Sequence, residues 1–454
     1  MSGLGAAPVS LARFDTSASA SVNSHYEFFK TPPTETTELG STIVSAQPLS
    51  ISNNSTSLQC SLPASQDQTT DLTESYVVVE VKFSAKDKDP LAAATSGDLK
   101  VWPETNLAHS MFSRIGLALN ETEVFHTSAY PQLAYTETLL HESRDAKMGV
   151  LTAEGWFTDS MVGKDQPELT AEDNPAVTAR KKVLATSRVV RLILRPFTPF
   201  QNSRKRTPPR VSMRLTATRA DISTFINSSE AAPDVMMDLL RFEWVVRRCF
   251  VNPSVIRALN SRLLEGAKHS LPMIRPRTRT FVIPSGVQSH RIVLEEKNFL
   301  PLKVCVGLVD QEALIGNFKK SQFNYKPYNA NGFELLIDGV QVGKSMKCDF
   351  ENGNAAEAYM QTISAIGQTS TRSGNGLSYS DFLDNKAIVV FALAEPQNKE
   401  WGEYLHVKRR GTAELLITFS TATTKALCAV ITDTREDLLQ IDLEGRIHMT
   451  EPAV

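Results

Sequence analysis

"LLIDGVQVGKSMKCDFENGNAAEAYMQTIS", residues 335–364, packs four signals into thirty positions. An alternating apolar run leads into Asp338-Gly339, a strong two-residue hairpin dipeptide. A second short strand and a loop follow. The stretch closes on a helix carrying Ala358-Tyr359 and Thr362. The first half of the chain holds the same order in "LALNETEVFHTSAYPQLAYTETLL", residues 117–140. There the turn dipeptide is Asn120-Glu121, a weaker hairpin signal, and the helix carries Ala134-Tyr135 and Thr138. The turns lie 338 − 120 = 218 residues apart and the helices 358 − 134 = 224, so the second loop is six residues longer. Two unrelated hairpins, each followed by a helix, would also give this pattern. The conserved sequence of hairpin, loop and helix favours tandem duplication of one domain.

Outward from this unit, the chain is a succession of short strands. "SYVVVEVKFSA" (75–85) sets Val79, Val81 and Phe83 against Glu80, Lys82 and Ser84, the period of a half-buried antiparallel strand. Further strands are predicted at 114–120, 187–197, 210–220, 242–251, 279–285, 290–295, 302–310, 333–342, 387–395, 413–420 and 428–447. Pro, Gly, Asn and Asp separate them, as in sandwiches or barrels and not in a parallel sheet wound with helices. The clearest helix is "NPSVIRALNSRLLEGAK", with Asn252 as N-cap, Pro253 at its first position, Val255, Leu259 and Leu263 along one face, and Gly266 at its end. The expected fold class is all-β with a few short helices. The expected organisation is a flexible N-terminal arm over 1–24, a first unit over 25–238 and a second over 239–454.

The 454 residues are natural for two cores, and burial of roughly three-quarters of the unfolded surface makes no staple necessary. Lys+Arg number 48 and Asp+Glu 50, so the chain has no global basic excess with which to hold phosphates. Any nucleic-acid contact must be local. The five cysteines are odd in number and form no close pair, which reads as buried small apolar residues rather than disulfides or a thiolate zinc site. No leader pattern opens the chain and no run approaches 18 uninterrupted apolar residues, so no membrane span is expected. The Asn-x-Ser/Thr sites at Asn53, Asn54, Asn120 and Asn227 are then coincidental.

Catalytic motifs fail on spacing. "GVQVGKS" (339–345) puts three residues between Gly339 and Gly343 where a phosphate loop needs four, and it sits in a hairpin. Glu137 and His141 are spaced to share a metal on a helix, but no third ligand accompanies them, and an exposed helical pair is the better reading. "SGNGLS" (373–378) reads as a flexible loop. No catalytic, cofactor-binding or metal site is therefore expected. Basic clusters lie at 180–182, 203–210, 275–279 and 408–410, and solvated loops account for them. The sharper alternative is a nuclear-import signal, or contact with packaged nucleic acid, at Arg204, Lys205 and Arg206, which flanking prolines would keep extended.

Two stretches carry a family likeness. "NLAHSMFSRIGLALNETEVF" with "YPQLAYTETLL", and "VCVGLVDQEALIGNFKKSQFNYKPYNANGFELLIDGVQV" with "DFENGNAAEAYM", resemble the capsid proteins of Maverick/Polinton elements and adintoviruses. The likeness runs over about 105–140 and 240–447 and is weak over 1–75 and 150–235. It implies a double jelly roll: two tandem eight-stranded antiparallel sandwiches. It also implies a structural, non-enzymatic role as the major capsid protein of an icosahedral double-stranded DNA virus or virus-like transposon. Three copies would make a pseudo-hexagonal capsomer, since two fused copies taken three times give six similar corners. Implied partners are a homotrimer, neighbouring capsomers, a penton protein and, locally, packaged DNA. The implied location is the virion capsid, assembled in the host nucleus or cytoplasm. A minor capsid or penton protein, and a two-domain β-sandwich module binding glycans or receptors, are the alternatives.

Overall fold

The computed structural model describes residues 28–29, 31, 33–51, 56–85, 100–158, 175–184, 189–201, 203, 205–369, 374–394 and 406–449. The expected N-terminal arm, Asn53, Asn54 and Arg204 lie outside the described residues.

Among the described residues ten strands form in the first half: β1 (Glu38–Ala46), β2 (Ser57–Leu62), β3 (Gln68–Ser84), β4 (Val101–Pro103), β5 (Phe112–Leu119), β6 (Thr122–Thr127), β7 (Val189–Leu194), β8 (Met213–Arg219), β9 (Ile226–Ser228) and β10 (Met236–Val251). Nine follow: β11 (His269–Ile283), β12 (Ser289–Phe299), β13 (Lys303–Asp310), β14 (Ala330–Ile337), β15 (Val340–Lys347), β16 (Ile388–Ala392), β17 (Arg410–Phe419), β18 (Leu427–Ile441) and β19 (Ile447–His448). The first sandwich pairs the sheets β1-β10-β3-β7 and β2-β8-β5-β6; β4 and β9 form a separate two-stranded ribbon. The second pairs β11-β18-β13-β16 and β12-β17-β14-β15, with β19 added to β18. With the eight main strands of each half counted in chain order, both halves read 1-8-3-6 over 2-7-4-5. This is the jelly-roll order, written twice.

Alternation builds the cores. Val77, Val79, Val81 and Phe83 of β3 point into the first core, where Leu117 of β5 and Leu215 of β8 meet them from the opposite sheet. The second core gathers Val304 and Val306 of β13, Leu335 of β14 and Leu415 of β17 in the same way.

Both predicted hairpin turns form with both central residues at positive φ: 43° and 65° at Asn120-Glu121, 50° and 78° at Asp338-Gly339. This is the type I′ signature that matches strand twist. The turns are also tied down alike. Asn120 N–H donates to Ser212 O (3.0 Å) and its Oδ1 accepts from Ser212 N–H (2.8 Å). Asp338 N–H donates to Thr412 O and its Oδ1 accepts from Thr412 N–H, both at 2.8 Å.

The boundary expected between 238 and 239 falls inside β10. Both partners of that strand, β1 and β3, lie in the first half, so the first sandwich runs on to Val251. The predicted connecting helix follows as Pro253–Leu264, with Asn252 Oδ1 accepting from Ser254 N–H (3.1 Å). Of its apolar face only Leu263 is buried, so the helix lies on the surface between the two units.

β11 and β18 run through both units. The inward face of β11 carries Leu271 and Met273 in the first core, then Arg275, Arg277 and Arg279, then Phe281 and Ile283 in the second core. β18 matches it with Leu439 and Ile441, then Asp433, Arg435 and Asp437, then Leu427, Ala429 and Ile431. The sequence expectation began this strand at 279 and left "RPRTR" as a solvated loop. The structure corrects both. Pro272 and Pro276 are tolerated because β11 is the edge strand of its sheet, where a missing N–H need not face a partner.

Candidate functional site

A third apolar cluster lies between the sandwiches. It is organised on the helix Tyr130–His141, the one carrying "AYTET", which follows β6. Pro131 sits in its first turn and nearly every side chain is buried. Tyr130, Leu133 and Ala134 enter the first core. Tyr135, Leu139 and Leu140 instead meet Cys305, Val309, Ile388, Val390 and Val430 on the outer face of the second unit's β11-β18-β13-β16 sheet. The Tyr135 ring stacks on Phe323 (centroids 4.5 Å apart, 9° between planes) and lies against Trp156 and Tyr325 at 5.6 and 5.8 Å. Gly307 of β13 is required here, because a Cβ would overlap the Tyr325 ring.

Polar groups close the seam. Gln132 Nε2 donates to Gln322 Oε1 (2.7 Å), and Lys147 Nζ donates to Leu139 O and Asn375 O (2.7 Å each). Asn375 Nδ2 donates to Leu140 O (3.1 Å) and Arg144 N–H to Gly374 O (3.1 Å). The segment around Asn375, expected as a flexible loop, is thus a buried tie across the seam. Burial, with the Lys386 ammonium nearby, pushes Lys147 down to about 7.

Beside the seam runs the ionic band of β11 and β18. Asp433 accepts from Arg277 (3.0 Å), Arg279 (2.9 Å) and Arg435 (3.1 Å), and Asp437 from Arg275 (3.0 Å). Glu295, brought in from β12, pairs with Arg277, Arg279 and Arg435. Burial alone would raise Asp433; the three guanidinium groups hold it below the usual carboxylate range. Charges this deep persist only when paired and hydrogen-bonded.

Several described members of the remaining basic clusters are likewise engaged within the chain. Arg180 is buried against Glu104 (3.9 Å) and Lys181 lies over Trp102 (5.5 Å). Lys408 and Arg410 flank Phe299 at 5.2 and 4.5 Å. Of the candidate site Arg204, Lys205 and Arg206, the last two are described. Lys205 is exposed, with Nζ 3.1 Å from Ser270 O, while Arg206 pairs with Glu38 and Asp71.

Arrangements with a chemical look are also placed. In "GVQVGKS" the residues after Gly339 are strand, and Lys344 pairs with Glu357. Glu137 and His141 approach to 3.6 Å, but Lys303 Nζ lies 2.6 Å from His141 Nε2, where a metal would have to compete with a cation. Among the described residues no three His, Cys, Asp or Glu are grouped to hold a metal ion. Burial pushes the thiols of Cys60, Cys305 and Cys348 up to about 12, the character of core residues. Sequence reading missed a Tyr130–His109–Glu154 relay, with His109 2.8 Å from the hydroxyl and 3.2 Å from the carboxylate. Arg195 also holds Glu154, at 2.5 Å. All three relay residues are sealed from solvent, so the relay pins the turn Val150–Glu154 and the strand exit of β7 and meets no substrate. Its members are scattered over 109–195, and no local spacing announces them.

No family model matches the chain. Among curated proteins, an uncharacterized Caenorhabditis elegans protein is 25% identical over 278 residues, 61% of this chain and 64% of that protein, so the match spans less than two thirds of the relative's length. Among solved structures the chain is similar to one from the Sputnik virophage, with a TM-score of 0.61 and 11% identity over 98% of this chain and 95% of the other. It is similar to the Faustovirus major capsid protein, with a TM-score of 0.58 and 8% identity over 93% and 92%. It is similar to the mavirus major capsid protein, with a TM-score of 0.52 and 10% identity over 98% and 97%. At these identities the likeness establishes the fold, a double jelly roll spanning nearly the whole chain. Among the described residues no helix is long and apolar enough to cross a membrane.

Proposed function

We propose that this chain is the major capsid protein of an icosahedral double-stranded DNA virus or virus-like transposon, assembling as trimers of pseudo-hexagonal outline. One observation carries the reading: a single chain holds two sandwiches of identical strand order, fixed side by side by a buried seam. Three such chains present six like-shaped units to their neighbours. In this reading the work is assembly and not catalysis, and the chain's place is the shell. A division between the two units after Val251, in place of 238, fits the sheet pairings. Neighbouring capsomers, a penton protein and packaged DNA are the partners. The sequence likeness to Maverick/Polinton and adintovirus capsid proteins supports an origin in that group, and a nematode relative suits an integrated element. A nuclear-import or DNA-contact role at the 204–206 cluster rests on Arg204 and Lys205, since Arg206 is engaged by two carboxylates.

Native mass spectrometry and negative-stain imaging of the purified chain test the reading. Trimers with a hexagonal outline are expected. A stable monomer with affinity for glycans would replace it with the binding-module alternative.

A further inference from the structure

A cavity of about 60 Å³ lies in the seam, beside the Tyr135 stack. That is room for a few waters or one small inorganic ion. Both units line it: Tyr135, Arg144, Lys147 and Trp156 from the first, Asn375 and Lys386 from the second. Lys147, Trp156, Asn375 and Lys386 are buried, whereas Arg144 is exposed. The Arg144 stem lies against Gly376, also exposed, where the cavity meets the surface; a Cβ on that glycine would come within 3.1 Å of Arg144 Cβ.

The polar groups left over at this cavity are donors. A lysine ammonium carries three N–H groups, and Lys147 uses two, on Leu139 O and Asn375 O (2.7 Å each). Its Nζ lies 5.9 Å from the centre of the Trp156 ring. Trp156 Nε1, which can only donate, is buried and has no acceptor among the described residues. The Asn375 amide is already engaged: Nδ2 donates to Leu140 O and Oδ1 accepts from Leu377 N–H (3.1 Å each).

Charge points the same way. Arg144 and two lysines line the cavity, and no carboxylate does. Asp381 pairs with Lys386 at 3.2 Å and Glu142 with Arg195 at 3.8 Å, and neither lines it. Burial and the Lys386 ammonium both act against charge on Lys147. Water placed among these donors has protons of its own to satisfy. An anion accepts from all of them and offsets the buried positive charge.

We infer that the cavity binds one chloride-sized inorganic anion, held by Lys147, Trp156 and Arg144 of the first unit within the field of Lys386 from the second, and that this ion pins the two sandwiches together. The site belongs to the seam alone and stands apart from the capsid reading.

Bromide in crystals and chloride in solution test it. Crystals of the full chain soaked in sodium bromide should show an anomalous peak in the cavity, within hydrogen-bonding reach of Lys147 Nζ. In solution at about pH 6 and constant ionic strength, replacing sodium gluconate by sodium chloride should raise the wild-type thermal midpoint by about 2 °C and saturate. Lys147→Met should abolish the gain. Arg144→Gln, at an exposed position, should at least halve it, and carries the comparison if the Lys147 variant does not fold. A cavity that takes up only water in bromide, or a chloride response that Arg144→Gln keeps in full, overturns the site. A bromide peak without a saturable chloride response means binding at crystal concentration only and overturns it as well.

Discussion

The outer faces of β1-β10-β3-β7 and β11-β18-β13-β16 are made by the same strand order and dressed in opposite ways. The second is apolar and sealed by an aromatic stack; the first carries surface ion pairs around a small apolar centre. Strand order is therefore set by what points inward, where both halves agree. What points outward is free to diverge, and on the second unit it is shaped to meet the helix Tyr130–His141. The divergence assigns different energetic weight to residues that look alike in the sequence.

The largest effect is expected in the ionic band. Asp433→Ala removes one of the two carboxylates that Arg277, Arg279 and Arg435 share in a buried site, leaving three guanidinium groups to Glu295, and should cost about 3–5 kcal/mol in urea unfolding. Glu80→Ala removes a carboxylate that also serves two arginines, Arg191 and Arg241, but both are exposed, and it should leave the midpoint nearly unchanged. Equal losses from the two variants would mean that the faces are not as different as their burial indicates.

The paired tyrosines sharpen the contrast. Tyr135→Ala should cost about 3 kcal/mol, because the ring is fully buried among Phe323, Tyr325 and Trp156. Tyr359→Ala, at the equivalent position, should cost about half as much in the isolated chain, since Tyr359 is only half-buried.

These pairs also mark what was legible beforehand. The hairpins, the helix Pro253–Leu264 and most strands were readable because period-2 alternation, Asp-Gly and an Asn-Pro cap are local signals. The repeat was readable through Ala134/Ala358 and Thr138/Thr362, the helix positions buried in both halves. The arginines of 275–279 were misread as loop because alternation was judged by polarity. Their inward partners Asp433, Asp437 and Glu295 lie up to 162 residues away (437 − 275), and no local rule reveals an ionic interior. Asn375 was misread for the same reason: what orders it is Leu140 O, in the other half.

Acidity probes the seam on its own. Lys147 ordinarily titrates near 10.5 and is held at about 7 in the folded chain. A cationic group with a depressed folded value gives stability that is complete above about 10.5 and lost as pH falls toward 7. Wild type should therefore gain on Lys147→Met by about 1 kcal/mol per pH unit between those limits, and the difference should be flat below pH 7. Thermal midpoints of the two proteins across that range would show it; parallel profiles would place the lysine in water.

The smallest effect is the most direct comparison of the two halves. Glu121 holds φ at 65° and Gly339 at 78° in the same turn position. A side chain pays for that backbone where glycine does not. Glu121→Gly copies the second turn into the first and should stabilise by about 0.5 kcal/mol, the backbone gain less the exposed ion pair to Arg214. Gly339→Glu makes the reverse exchange and should destabilise by about 1 kcal/mol, because nothing within 4 Å of its Cβ would compensate. Opposite signs would show that one turn geometry serves both halves under one set of rules. Like signs would mean that Asn120 with Ser212, and Asp338 with Thr412, dictate their turns independently of the second residue.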